Sequence, residues 1–396
     1  MYSLPRNVWL LTSSLALFMS LSVFVIFIGG IIGNALAPSK SLSTLPVALL
    51  VVGTASGIMP INRIMAIIGR HKTFLGVCIF TLLNIYLAIT ALQTQSFYLF
   101  CLSSFLFGVT TATMNQFRFA AIESVDKNLS ATATSVILSG GLISAFLGPE
   151  LATAGMHLFS TEFVGSFVLL SGCFVIAFVL LWFYQPVQTT EKEQVVSSRS
   201  LSQIIKQPIF IVAMSSAAVG YIVMSYIMTA TPMSMHVIDG FSLEHTKFVI
   251  QSHVIAMFLP SLFTPIVVKY FGLRKMMLAG VLFFFICIAI AFSSHALMNY
   301  WVALVLLGLG WNFLFIGGTS LLPQSYNESE KFKVQSVNDF LIFGLQAIAS
   351  LSAGWLVFGF GWEIVLLSTV PLLIMQLIIL WRSLKLKGAS RNPSAI

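Results

Sequence analysis

Apolar runs of about 20 residues dominate the sequence, and short polar stretches separate them. Lipid offers no hydrogen-bonding partner to backbone N–H and C=O groups, so a chain must cross a bilayer as helices or as a closed barrel. Runs of this length without apolar/polar alternation are typical of helices, and hydrophobic residues make up 58% of the chain. The sequence therefore predicts an all-α integral membrane protein.

The apolar runs can be divided into twelve predicted spans, numbered here in chain order. They lie at about residues 10–32, 45–65, 74–92, 97–117, 131–152, 164–184, 209–231, 248–268, 276–292, 300–321, 336–358 and 363–381.

A polar stretch at residues 185–207 divides the spans into two sets of six. A basic turn, Gly69-Arg70-His71-Lys72, follows span 2, and a similar turn, Gly272-Leu273-Arg274-Lys275, follows span 8. Such repetition is typical of duplicated transmembrane units. We therefore predict two six-helix bundles related by a pseudo-two-fold axis, at residues 1–184 and 208–396, joined by a cytoplasmic linker.

The distribution of basic residues predicts the orientation of the chain. With twelve spans, only Lys40 and Lys247 of the 20 lysines and arginines fall on the side opposite the termini. Because basic loops are retained in the cytoplasm, both termini are predicted to be cytoplasmic. The basic residues occur singly at span ends, which argues against binding of nucleic acid.

Other classes of function lack their sequence signals. The four cysteines all lie within predicted spans and lack the spacing of a zinc site, so we expect no metal and no cofactor. The chain contains no nucleophile elbow, no zinc-protease motif and no phosphate-binding loop. An enzyme and an ATP-driven pump are therefore not expected.

The run from Gly140 to Pro149, Gly-Gly-Leu-Ile-Ser-Ala-Phe-Leu-Gly-Pro, is the most specific motif. With the twelve spans and the repeated basic turn, it resembles the major facilitator superfamily, in which this span-5 motif is associated with exporters. The resemblance implies a secondary active transporter in a bacterial inner membrane that works by alternating access. Small residues allow close helix contact and proline removes a hydrogen bond, so Gly141, Gly148 and Pro149 are candidates for a hinge or packing face.

The resemblance favours proton-coupled efflux of a drug or metabolite, and it implies a small organic solute, a proton and the bilayer as partners of a monomer. Proton-coupled uptake of a nutrient such as a vitamin or siderophore is the alternative. The family's charged positions are occupied here by Ala66, Ile67 and Ser104, a departure from the drug:proton antiporter branch.

Ionisable groups within a bilayer cost several kcal/mol unless they are paired or hydrated, which makes them functional candidates. Arg118 at the end of span 4, with Glu123 beyond it, and Asp339 in span 11 are candidate gate residues, and Arg118 is predicted to pair with Asp339. An arginine reaching the headgroups and a helix cap are the respective alternatives. Glu150 is the candidate for proton coupling, unless it faces a hydrated vestibule. His253 is a candidate relay or a structural histidine.

The superfamily fold lines its cavity with spans 1, 4, 7 and 10. On three of these spans the chain carries amide and aromatic residues suited to a partly aromatic organic solute. These cavity candidates are Asn115, Gln116, Tyr221, Tyr226, Trp311 and Asn312.

Overall fold

The computed structural model describes residues 4–126, 129–186, 199–327 and 330–389, and within these ranges the regular structure is entirely helical. The prediction of an all-α protein is therefore confirmed. The predicted linker lies partly outside the described residues.

The described part of the first half contains seven α-helices. They are α1 (Arg6–Leu36), α2 (Leu45–Ile68), α3 (Arg70–Gln93), α4 (Phe97–Thr111), α5 (Met114–Glu123), α6 (Ser130–Gly155) and α7 (Val164–Trp182). We call the face on which α1 begins the proximal face and the face on which it ends the distal face.

Eight α-helices follow in the residues described for the second half. They are α8 (Leu201–Ile205), α9 (Pro208–Pro232), α10 (Leu243–Phe258), α11 (Thr264–Phe271), α12 (Leu273–Ser293), α13 (Leu297–Leu321), α14 (Lys331–Phe360) and α15 (Trp362–Ala389). A π-helical segment, Met233–Ile238, continues α9 towards the distal face.

Within the described ranges, eleven helical stretches are long and apolar enough to cross a membrane. The eighth predicted span is the exception, because it is a broken helix rather than one continuous helix. Its two parts, α10 and α11, are joined by a 3-10 turn at Leu259–Leu262. Pro260 in this turn and Pro265 near the start of α11 lack the N–H that a continuous helix requires, which explains the break.

The fourth predicted span is interrupted for two residues, because α4 ends at Thr111 and α5 begins at Met114. The hydroxyl of Thr111 donates to the carbonyl of Gly108, and that of Thr113 donates to the carbonyl of Thr110. Such bonds to the preceding turn compete with the regular helix ladder.

The two basic turns have the same backbone geometry in both halves. Gly69 has φ 83° and ψ 158°, and Gly272 has φ 77° and ψ 154°. Both ends are thus closed by a glycine in a region that other residues rarely adopt. Close helix contacts also recur, because Gly108 of α4 meets the backbone of α2 and Gly308 of α13 meets the backbone of α10. Equivalent positions of the two halves therefore share a local structure.

An ion pair fixes the last part of the predicted linker, which contains Arg199. The guanidinium of Arg199 donates to both carboxylate oxygens of Glu330, at 2.9 and 2.6 Å, and the backbone N–H of Asn327 also donates to this carboxylate at 2.9 Å. Glu330 is buried at 1% exposure. The bonds from Arg199, followed by the one from Asn327, lower the pKa of Glu330 from 4.5 to about 2.

Candidate functional site

Among the described residues, the two halves of the chain meet most extensively along two pairs of helices, α2 with α14 and α6 with α10. On the distal face, the ammonium of Lys247 on α10 lies 3.2 Å from the carboxylate of Glu150 on α6. Gln251, one turn further along α10, donates to the same carboxylate at 3.2 Å. Glu150 is therefore exposed but engaged across the interface between the halves.

Further contacts close the distal ends of the halves. Gly354 of α14 lies against Thr44, which precedes α2, and there is no room for a Cβ at this glycine. Gly30 of α1 packs against Met233 of the π-helical segment, whose Cε would lie 3.0 Å from an added Cβ. The described conformation is thus closed on its distal face.

The proximal face is less tightly joined. Arg118 of α5 lies within electrostatic range of Asp339 of α14, but the two do not form an ion pair at contact distance. A cavity of about 180 Å³ lies between α2 and α14, lined by residues that include Asn62, Arg63 and Phe340. Because solute pockets usually measure about 300–1,000 Å³, this cavity must widen to hold an organic solute.

Aromatic rings from four helices gather next to Arg118, which also lies within electrostatic range of Tyr221. Tyr221 of α9 meets Trp311 edge-on at 5.3 Å between ring centroids, and Phe343 of α14 at 5.4 Å. Phe315 stacks on Trp311 at 4.9 Å, and Phe258 of α10 lies 5.8 Å from Trp311. We call these five residues the aromatic cluster.

Polar contacts continue the aromatic cluster along α9 and α14. Gln346 donates to the hydroxyl of Ser225 at 2.6 Å, one turn beyond the contact of Tyr221 with Phe343. Thr229 and Ser350 share a hydrogen bond of 3.1 Å one turn further on. A stripe with helical spacing therefore runs along α14 from Asp339 through Phe343 and Gln346.

Among the described residues, the buried polar atoms without a hydrogen-bonding partner include two on side chains of the aromatic cluster and its polar extension. They are the indole N–H of Trp311 and the side-chain carbonyl of Gln346. Leaving such groups unpaired costs about 1–3 kcal/mol each, so native structures retain few of them. One donor and one acceptor are thus available to a solute that enters between these helices.

The remaining predicted cavity residues have mixed surroundings. Asn312 donates to the backbone carbonyl of Met257 and to the hydroxyl of Ser261, both at 2.7 Å, so its amide joins α13 to α10. Gln116 donates to Asn62 at 3.0 Å. Tyr226 is buried on α9. Asn115 belongs to α5, but its side chain lies outside the described residues.

Two other ionisable candidates have partners within their own half. Glu123 forms an ion pair with Arg70 of the basic turn. His253 is fully buried, and its Nδ1 lies 2.8 Å from the carbonyl of Leu304. That contact makes Nδ1 the donor, and Nε2 has no hydrogen-bonding partner among the described residues. These contacts suit structural roles.

The glycines of α6 provide close packing. A Cβ at Gly148 would lie 2.7 Å from the carbonyl oxygen of Ser20 on α1, and one at Gly141 would lie 2.6 Å from the ring of Phe258 on α10. Pro149 lies within α6 and precedes Glu150. Helix α6 therefore packs closely against α1 in its own half and against α10 in the other half.

Sequence reasoning missed Phe343, Gln346, Lys247 and Gln251. The spacing of Asp339, Phe343 and Gln346 along span 11 was a usable signal, because polar residues repeating on one face of an apolar helix indicate a buried interface. The partners of Glu150 had no such signal, since they lie 97 and 101 residues away in the chain.

These features together define a polytopic membrane transporter. They are the many apolar helices, the repeated local structure of the two halves and the central polar and aromatic site. The profile described as Major Facilitator Superfamily matches residues 10–264. The chain belongs to this superfamily, whose members are transporters and not enzymes.

Curated relatives extend over most or part of the chain. The riboflavin transporter RfnT of Brucella anthropi is 33% identical over 389 residues, covering 97% of both chains. The uncharacterized MFS-type transporter YddS of Bacillus subtilis is 29% identical, covering 90% of this chain and 86% of its own. The multidrug transporter MdfA of Edwardsiella piscicida is 30% identical over 122 residues, which are 30% of this chain and 29% of its own.

Among solved structures, a bacterial homologue of the human lysosomal transporter Spinster has the same fold. The TM-score is 0.75 with 12% sequence identity, and the match covers 100% of both chains.

Proposed function

We propose that this chain transports riboflavin or a closely related flavin by alternating access, in the direction of uptake. The observation that carries the proposal is the similarity to a riboflavin transporter over 97% of both chains. The uptake alternative raised by the sequence thus gains more support than efflux.

The aromatic cluster suits such a solute. A flavin has a flat aromatic ring system with an imide edge that offers one N–H donor between two carbonyl acceptors. Aromatic side chains provide apolar contact area, and a few directed polar groups fix orientation. The indole N–H of Trp311 and the carbonyl of Gln346 have the complementary donor and acceptor chemistry.

We propose that two gates alternate. Glu150 with Lys247 and Gln251 closes the distal face, and approach of Arg118 to Asp339 closes the proximal face. The bundles at residues 1–184 and 208–396 would rock relative to each other, with residues 185–207 as the linker. The termini would lie in the cytoplasm of a bacterium, with the protein in its inner membrane.

For proton coupling, Asp339 is a better candidate than Glu150. Glu150 is half exposed and has a cationic partner in Lys247, whereas Asp339 is partly covered and lacks an ion pair at contact distance among the described residues. A carboxylate in that setting is stabilised by protonation or by a close cation. Protonation of Asp339 would release Arg118, so proton binding and gate opening would be linked.

The experiment is uptake of labelled riboflavin into cells that cannot synthesise it, together with thermal unfolding of the purified protein with and without riboflavin. Uptake above that of the empty vector and a raised melting temperature are expected, because a ligand that binds only the folded state stabilises it. Absence of both effects would refute riboflavin as the solute.

Efflux of a drug is the second candidate, favoured by the partial match to MdfA and by the motif in α6. It predicts lower drug accumulation in cells that contain the protein. The contacts of Gly141 and Gly148 give this motif a packing role, which is independent of direction.

A further inference from the structure

A cluster of titratable side chains lies on the distal face of the second half, away from the site described above. His295, in the connection between α12 and α13, places Nδ1 3.1 Å from both carboxylate oxygens of Asp239. Its Nε2 lies 3.0 Å from the carboxylate of Glu363 at the start of α15. One imidazole thus bridges two carboxylates.

A neutral imidazole between two ionised carboxylates has one proton too few for this arrangement. Neutral imidazole has one N–H, so one ring nitrogen would present its lone pair to a carboxylate oxygen. If the ring is the imidazolium, both nitrogens donate and both contacts are favourable. The geometry therefore describes the proton-loaded form of the cluster.

A chain of hydrogen bonds connects the cluster to α9. Tyr300 of α13 donates its hydroxyl proton to Asp239 at 2.7 Å. Since a phenol has only one proton, Ser234 must donate to the Tyr300 oxygen in their 2.5 Å contact. Ser234 is fully buried in the π-helical segment, next to Met233, which packs against Gly30 of α1.

Other titratable groups nearby have partners of their own, so His295 is the group that bridges Asp239 and Glu363. Glu244 pairs with Lys247 on α10 at 2.7 Å, and the ring of His236 lies 2.7 Å from the backbone carbonyl of Phe241. Partial burial by itself lowers the pKa of His295, but the bonds to Asp239 and Glu363 outweigh it and raise the pKa above 6.5.

We propose that Asp239, His295 and Glu363 form a proton-binding site, and that the bound proton holds the distal ends of the π-helical segment, α13 and α15 together in the closed conformation. Loss of the proton leaves one contact repulsive and loosens the segment that packs on α1. The proton bound to the cluster stabilises this arrangement fully below pH 6.5. The stabilisation is lost as the pH rises through the elevated pKa of His295. Distal opening is therefore easier at alkaline pH.

The test measures the distance across the distal face by pulsed electron paramagnetic resonance. Spin labels are placed at Ser160→Cys, before α7, and at Met298→Cys, near the start of α13. Both positions are exposed, and the four native cysteines are buried. Distributions are recorded from about pH 5.5 to about pH 8.5, which spans the range over which a histidine titrates.

In the otherwise unchanged protein we expect the longer-distance population to grow as the pH rises. His295→Gln should remove that dependence, and Glu363→Gln should weaken it. His157→Gln, an exposed histidine on the same face, is the matched control and should retain it. A distance distribution that does not change with pH, or the same change in His295→Gln, would overturn the proposal. Melting temperatures at the acid end identify any variant that is misfolded.

Discussion

Glu150 and Lys247 form the one ion pair that joins the two halves of the chain among the described residues. Nζ of Lys247 lies 3.2 Å from Oε1 of Glu150. The pair links α6, whose glycines pack against α1, to α10, the first part of the broken eighth span. The pair lies on the distal face, opposite Arg118 and Asp339, and we propose that it acts as a gate in alternating access.

Removal of this pair is expected to favour distal opening. Ion pairs with one exposed partner contribute up to about 1 kcal/mol, so Lys247→Gln should increase the open population by about fivefold at most. The open population is measured by the reaction of an impermeant maleimide with a cysteine introduced on the distal face. The exchange Glu150→Lys with Lys247→Glu should restore closure, and Glu244→Gln, which acts within one half, is the control. Equal effects of Lys247→Gln and Glu244→Gln would argue against a gate.

Trp311 and Gln346 are expected to recognise the imide edge of a flavin. Trp311→Phe and Gln346→Leu should each weaken riboflavin binding about fivefold to tenfold, the effect of about 1 kcal/mol for one lost hydrogen bond. Gln346→Leu should also lose discrimination against riboflavin methylated at the imide nitrogen. Competition for transport of labelled riboflavin provides both values. Trp355→Phe, at an exposed tryptophan of α14, is the control. Unchanged discrimination would exclude Gln346 from the site even if riboflavin is transported.

Arg118 and Asp339 are expected to depend on each other. Asp339→Asn should abolish the response of transport to an imposed pH gradient, because the variant cannot take up the proton. Reversal of either charge should abolish transport, and the double reversal should recover part of it, as measured in proteoliposomes. A double reversal no more active than either single reversal would contradict the pairing.

Glu330 is expected to stabilise the protein only while it is ionised. Its pKa falls from 4.5 to about 2 on folding, so its contribution is present above pH 4.5 and is lost as the pH falls towards 2. Glu330→Gln should lower the melting temperature at neutral pH and reduce its fall in this acid range. Glu162→Gln, at an exposed carboxylate, should change neither quantity. A wild-type acid response in Glu330→Gln would show that other groups control it.

Gly148 is expected to tolerate no side chain. An added Cβ would lie 2.7 Å from the backbone oxygen of Ser20, and overpacking of this kind costs about 1–3 kcal/mol. Gly148→Ala should therefore lower the melting temperature, whereas Gly172→Ala, where a Cβ meets open space, should not. Equal melting temperatures would mean that α1 and α6 can separate without cost.

Much of the fold could be predicted because its causes are local. The length of apolar runs predicts helices that cross a bilayer, and Gly69 and Gly272 predict the turns that repeat between the halves. The break in the eighth span was predictable in principle from Pro260 and Pro265, yet apolar composition alone favoured a continuous helix. Of the candidate site, the sequence suggested Tyr221 and Trp311 through the helices that carry them, and their contact with a solute stays a prediction. It left Gln346 and Phe343 unrecognised, although they continue the face of Asp339.

The sequence by itself determined that this chain is a helical membrane protein of two similar halves, because backbone hydrogen bonding in lipid and the repeated turns leave few other solutions. Tertiary structure decided which scarce polar groups meet. Glu150 and Lys247 are 97 residues apart in the chain, and His295 lies 56 residues from Asp239 and 68 from Glu363. No local periodicity encodes such pairings, since they arise only when helices from distant parts of the chain pack side by side.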